Sequence, residues 1–147
     1  MKVWRLARQA FAALNGAGAR LYGGRWNRTG QSVVYTSQNL SLAVLEVIVH
    51  LELAPELLPP DYVKIEIDVP DELAVERVAA LPRTAAAMLE LGARWYESGA
   101  TVALLVPSVI VVEEHNLLVN PGHRDFAKIR SRRPRPFGFD ARLLERN

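Results

Sequence analysis

A chain of 147 residues, half of them apolar and 23% charged, is long enough for one domain around a sizeable core and lies far from the disordered regime. Having no cysteine, it holds no disulfide scaffold, thiol nucleophile or Cys-ligated metal, which fits a reducing cytoplasm. The net charge is only +2, but residues 124–147 carry eight Lys/Arg against three Asp/Glu, a local +5 on a body of −3.

In chain order, the opening "VWRLA" reads as a strand with Val3 and Arg5 on one side and Trp4 and Leu6 on the other. Arg5 and Arg8 interrupt the apolar residues there, so no signal-peptide core is expected. "RQAFAALNG" predicts a helical turn ending at Gly16, and "GAGARLYGGRWNRTGQ" a long glycine-rich loop of the kind that tends to carry function. "SVVYTS" is a strand, and Ser37 or Ser41 is placed to cap the helix "LSLAVLEVIVHLEL". That helix is apolar nearly all round and so is expected to be buried, with Glu46, His50 and Glu52 as exceptions. It contains a carboxylate and is too short to cross a bilayer, so a soluble, cytoplasmic protein is expected.

"VKIEIDV" alternates as a half-exposed strand ended by Pro70. "TAAAMLELGARWYESG" predicts a helix interrupted near Gly92 and stopping at Gly99. "VALLVP" and "VIVV" read as two buried strands separated by Pro107 and Ser108. "EEHNLLVNPGHRDF" reads as a loop with turn chemistry at Asn120-Pro121-Gly122, and "FGFD" as a last short strand. The basic run "RSRRPRP" is broken by prolines and has no interleaved aromatics. A solvated, partner-facing tail fits it better than a nucleic-acid-binding module. Strands and helices interleave without regular βαβ units, which predicts a single α+β domain over residues 1–147 with a mainly antiparallel sheet.

Several residues stand out chemically. The glycines fail the dinucleotide-binding fingerprint, since no strand feeds them and the third glycine is missing. Arg25 in "GGRWN" either covers Trp26 with its stem or grips a phosphate with its planar guanidinium. Arg5, in a strand-like segment, is a second arginine suited to a pyrophosphate. Glu46, mid-helix among aliphatic residues, marks either a wet face shared with His50 or a catalytic carboxylate lining a cavity. Ser108 lacks the context of a serine hydrolase, and His50, His115 and His123 lack metal-ligand spacing.

Taken in order, Arg25 in "YGGRWN", Glu46 in "LAVLEVIVHL" and Ser108 in "LLVPSVIV" resemble the Arg, Glu and Ser for which the RES domain family is named. Arg5, Tyr35 in "VVYTS", Gly92 and Trp95 in "GARWY", and "NLLVNPGH" extend the resemblance from about Arg5 to Phe126. It implies an ADP-ribosyltransferase-like split sheet with flanking helices and a cleft for NAD. It implies a toxin of a type II toxin–antitoxin system that degrades NAD by hydrolysis or phosphorolysis, or else ADP-ribosylates a protein. The implied partner is an Xre-type helix-turn-helix antitoxin that occludes the cleft, with a homodimer within the complex and DNA contact only through the antitoxin. On this resemblance Arg25, Glu46 and Ser108 are the catalytic set. Arg5, Arg25, Tyr35, Ser108 and Asn120 bind the dinucleotide, no metal is needed, and Tyr35 borders the nicotinamide ring.

Overall fold

The computed structural model describes residues 1–51 and 57–145. Its sheet contains β1 (Lys2–Arg8), β2 (Val34–Ser37), β3 (Tyr62–Asp68), β4 (Val75–Arg77), β5 (Ala103–Pro107), β6 (His115–Val119), β7 (Arg130–Ser131) and β8 (Arg135–Pro136). The α-helices are α1 (Ala17–Tyr22), α2 (Leu40–His50) and α3 (Ala85–Ser98). Strand order is β4-β5-β6-β2-β1-β3-β7, with β8 also pairing β3. The β4–β5 pair is parallel and the others are antiparallel. This is the α+β, mainly antiparallel architecture that the residues and the resemblance both implied.

The sheet is split. β1 and β3 pair along the whole of β1, from Lys2↔Asp68 to Arg8↔Tyr62, yet β1 and β2 share the single registered pair Trp4↔Ser37. On one side of that junction lie β1, β3, β7 and β8, and on the other β2, β6, β5 and β4. The residue pattern explains the curl between the halves. Along β3, Val63, Ile65 and Ile67 are buried while Lys64, Glu66 and Asp68 are only half-buried. β5 is buried at every position, as an apolar strand covered on both faces must be. Its Ala103 and Leu105 join Val3, Ile65, Ile67 and Leu117 in the main core between the halves. Its Leu104 and Val106 face the other way, onto Trp26, Met88, Trp95 and Leu118. α2 packs across the junction against β1 and β2, with Ala43 against Leu6 and Tyr62.

Several local expectations change. α2 is capped by Asn39, whose Oδ1 accepts from the Leu42 N–H at 2.8 Å, and neither Ser37 nor Ser41 does so. The helix is not buried all round: Leu42 and Ala43 are buried, whereas Leu45 and Val49 are 38% and 54% exposed, because the helix covers one side of the junction and none of the described residues covers its back. Glu52 lies outside the described residues. α3 runs unbroken through Gly92, where a Cβ would lie 1.9 Å from the Trp26 carbonyl oxygen. That glycine is a packing contact and does not break the helix.

"VIVV" is a turn, since the Ile110 and Val111 N–H groups fold back onto the Ser108 hydroxyl. The expected loop beginning at Glu113 instead contains β6, a strand inside the sheet. "FGFD" is not a strand. Phe139 packs edge-on against Tyr62 and Phe137, and the pairing to β3 lies just upstream in β8. The basic segment is not a free tail either: β7 and β8 strap it along β3, with Arg132 Nε 2.6 Å from the Glu66 carboxylate.

Candidate active site

The period of two along the second half-sheet sets one wall of the site. Leu118 on β6 and Leu104 and Val106 on β5 share the face toward α3, so Asn116 and Ser108 continue that face in phase. The apolar face turns polar at Asn116 and Ser108, and Glu46 reaches both from α2. Glu46 Oε1 accepts from the Ser108 hydroxyl at 2.8 Å and from Asn116 Nδ2 at 2.7 Å. Ser108 is fully buried, its oxygen also accepting from the Ile110 and Val111 N–H groups at 3.1 and 3.2 Å. Asn116 Oδ1 in turn accepts from the Ser37 hydroxyl at 2.7 Å. Both donors converge on Oε1, so Oε2 is the carboxylate oxygen left for something else.

The glycine loop makes the opposite wall. Its keystone is Asn27, 1% exposed, whose Nδ2 donates to the Ala19, Arg28 and Gln31 carbonyls at 2.9, 2.9 and 3.2 Å. Asn27 Oδ1 accepts from the Tyr35 hydroxyl at 2.6 Å, and that same hydroxyl accepts from the Trp26 N–H at 3.1 Å. Tyr35 thus clamps the loop. Burial is the largest effect on its phenol and outweighs the Trp26 N–H and the nearby Arg25 charge, so its pKa is pushed up to about 12. Gly24 has to be glycine because a Cβ there would lie 2.6 Å from the Tyr35 oxygen and 2.7 Å from Asn27 Oδ1. Trp26 is buried against α3, and its neighbour Arg25 projects outward, exposed.

Between these walls is a cavity of about 710 Å³ lined by Gly23, Gly24, Arg25, Trp26, Tyr35, Glu46, His50 and Asn116, among others. A second cavity of about 340 Å³ adjoins it toward β1 and shares Tyr35, Glu46, His50 and Asn116 with it. Glu46 therefore stands where the two meet. His50, one helical turn beyond Glu46, lines both. Among the described residues, no group of three or more His, Cys, Asp or Glu is placed to hold a metal ion.

A scan of known families matches the RES domain to residues 2–140. The chain belongs to the RES domain family. Among its RES relatives is a "Prs ADP-ribosylating toxin" of Sphingobium sp. (strain YBL2), 39% identical over 97% of this chain and 96% of the relative. A "Toxin Res" of Photorhabdus laumondii subsp. laumondii is 38% identical over 99% of this chain and 98% of the relative. In fold, this RES chain is similar to a chain of the crystal structure of the M. tuberculosis MbcT–MbcA toxin–antitoxin complex. The TM-score is 0.74, with 22% identity over 92% of this chain and 83% of that one.

The structure sorts the residues expected at the RES site. Arg25, Tyr35 and Glu46 line the larger cavity. Ser108 stands behind Glu46, lining neither cavity and touching the site through Oε1. Arg5 sits in the split of the sheet, its guanidinium bracing the two halves by donating to the Tyr35 and Phe11 carbonyls at 3.3 and 3.2 Å. Its Nε is buried without a hydrogen-bond partner, and burial pulls its pKa below the usual value. It lines the smaller cavity only.

Asn120 is not brought to the cleft. It lies past the far end of β6, lines neither cavity, and its Oδ1 accepts from the Gly122 N–H at 2.9 Å in a local turn. Asn116, four residues earlier, occupies the site instead. Sequence reasoning missed Asn116, Ser37 and Asn27. The usable signal for Asn116 was its two-residue phase with Leu118 on a strand that read as a loop.

Proposed function

We propose that this RES protein is the toxin of a type II toxin–antitoxin pair and that it cleaves the nicotinamide–ribose bond of NAD in the cleft between Glu46 and Arg25. One observation carries the reading. Glu46 is pinned by two donors on Oε1, leaving Oε2 at the meeting point of two cavities, and the Arg25 guanidinium, with no hydrogen bond or ion pair among the described residues, lines the larger of them. Fixed charge aimed at a reacting centre in this way is what stabilises developing charge.

The chemistry asks for little else. The bond from the ribose C1′ to the pyridinium nitrogen breaks with its electron pair going to that nitrogen, so nicotinamide leaves neutral and no general acid is required. The ribose develops oxocarbenium character, which Glu46 Oε2 stabilises while holding the ribose hydroxyls. An oxygen of water or phosphate bonds to C1′, and the proton released passes to solvent. Arg25, with a planar fork free of partners among the described residues, suits the diphosphate. Ser108 works through Glu46. Arg5 closes the split beneath Tyr35 and bounds the smaller cavity.

The relative named as an ADP-ribosylating toxin supports a second reading, in which the acceptor is a protein side chain and not water or phosphate. The similarity to a toxin–antitoxin complex supports an antitoxin partner, here of the Xre type. The exposed Leu45 and Val49 on α2, beside Glu46, give such a partner an apolar rim to cover. A cytoplasmic location and NAD as the consumed substrate follow from the same reading.

Inducing the chain alone should deplete cellular NAD, whereas Arg25→Ala and Glu46→Ala should each yield folded protein that spares it. Label from NAD recovered as free ADP-ribose or its 1-phosphate would favour degradation, and label fixed to protein would favour transfer. Undiminished NAD on induction of the wild-type chain, with no label transferred, would sink both readings.

A further inference from the structure

Resting on the proposed role of Glu46, we propose that Ser37 is a positioning residue: its hydroxyl tethers the Asn116 amide and, through it, fixes the Glu46 carboxylate at the junction of the split sheet. Ser37 is the β2 residue that pairs with Trp4 of β1, the single register point joining the two halves. It is also directly opposite Asn116 of β6. Its side chain is 4% exposed, and a hydroxyl so placed must find a partner.

The direction of the hydrogen bonds gives the argument. Glu46 as a carboxylate only accepts, so it selects the amide orientation that turns Asn116 Nδ2 toward Oε1. That choice turns Asn116 Oδ1 the other way and leaves it in need of a donor. The Ser37 hydroxyl is that donor, at 2.7 Å. The chain of bonds from Ser37 through Asn116 to Glu46 then runs in one sense, each bond polarising the next. Ser108 alone cannot replace this tether, because a single donor on Oε1 leaves the carboxylate free to swing about its last torsion. Donors from two separate directions, one beyond β5 and one on β6, hold Oε2 toward the cleft.

The test compares Ser37→Ala and Ser37→Thr with the wild-type chain, using NAD consumption and the NMR signals of the Asn116 side-chain NH2, assigned by their loss in Asn116→Asp. Removing the hydroxyl should lower kcat about tenfold and leave KM within about twofold, as expected for a lost positioning bond. Ser37→Thr, which keeps the hydroxyl, should retain kcat within about threefold. The Asn116 NH2 pair should move in Ser37→Ala and stay in place in Ser37→Thr. If Ser37→Ala does not fold, Ser37→Cys, similar in size but a weak donor, should show the same loss of kcat. A wild-type kcat in Ser37→Ala, a loss confined to KM, or an unmoved Asn116 pair would overturn the proposal. A wild-type protein that turns over no NAD, yet shows the amide shift, would overturn the proposed reaction and leave the tether standing.

Discussion

The two walls of the cleft are built in opposite ways. On the α2 side the functional side chain is tied and its supports are buried: Ser108 and Asn116 hold one oxygen of Glu46, and Ser37 holds Asn116. On the glycine-loop side the backbone is tied and the functional side chain is loose. Asn27 and Tyr35 fix the loop, while Arg25 projects from it with no hydrogen bond or ion pair among the described residues. The contrast matches what each group is proposed to do. A carboxylate stabilising charge at one carbon gains from a fixed position, because a preorganised group reorganises nothing as the charge forms. A guanidinium gathering a flexible diphosphate needs reach, and a rigid base is enough for it.

The sharpest way to break the loop wall is at its contact with α3. Replacing a mid-helix glycine by alanine ordinarily adds about 1 kcal/mol of helix propensity. At Gly92 the sign should reverse, since the added Cβ meets the Trp26 carbonyl oxygen at 1.9 Å, and that atom is backbone and cannot rotate away. Gly92→Ala is expected to destabilise the protein by about 3 kcal/mol or more. Urea unfolding would measure this, and a stability equal to or above wild type would show that the loop is not held where α3 places it.

A smaller effect should come from the clamp itself. Tyr35→Phe removes the hydroxyl that joins Trp26 and Asn27, leaving two loop groups unpaired at a cost of about 1–3 kcal/mol at neutral pH. The ionisation sign also follows. The folded phenol is pushed up to about 12, above its unfolded value near 10, so both states are neutral below pH 10 and the group adds no pH dependence there. Between pH 10 and 12 the unfolded state ionises first, and wild-type stability should fall through this window by on the order of 2 kcal/mol. The Tyr35→Phe variant should lack that share of the decline. Parallel unfolding curves for the two proteins over this range would mean that Tyr35 is not buried in the clamp.

The same contrast explains what the sequence disclosed. Glu46 could be singled out because a carboxylate amid Leu42, Val44, Leu45 and Val47 breaks a strong pattern, and Arg25 because two glycines precede it. The antiparallel α+β class was readable from strands and helices that interleave without regular βαβ units, β3 and β5 among them marked by alternating and continuous apolar runs. β6 was not, because its first two residues, His115 and Asn116, are polar, the second of them facing the cavities. The apolar remainder is then too short to declare a strand. Asn120 was expected in the cleft and Asn116 was not, for the same reason: without the strand there is no phase to place either residue. Gly92 was read as a break because propensity is local, while its contact with Trp26 spans distant parts of the chain. Burial around α2 was overestimated because composition alone cannot say which side of an apolar helix packs and which stays exposed.

The smallest and most discriminating change lies at Arg25. Arg25→Lys keeps the charge and loses the fork that grips two oxygens at once. Because Arg25 is exposed and makes no hydrogen bond among the described residues, stability should stay within about 0.5 kcal/mol of wild type. Its loss should appear in catalysis: kcat/KM for NAD is expected to fall about tenfold, the worth of one charge-assisted bond, with most of the change in KM. The opposite split, an unchanged KM with a collapsed kcat, would place Arg25 at the reacting ribose and not at the phosphates. In that case the two walls would share one task, and the loop's freedom at Arg25 would need a different reason. A lysine variant as active as wild type would mean that only the charge is used, and that the planar group carried on this clamped loop adds nothing to binding.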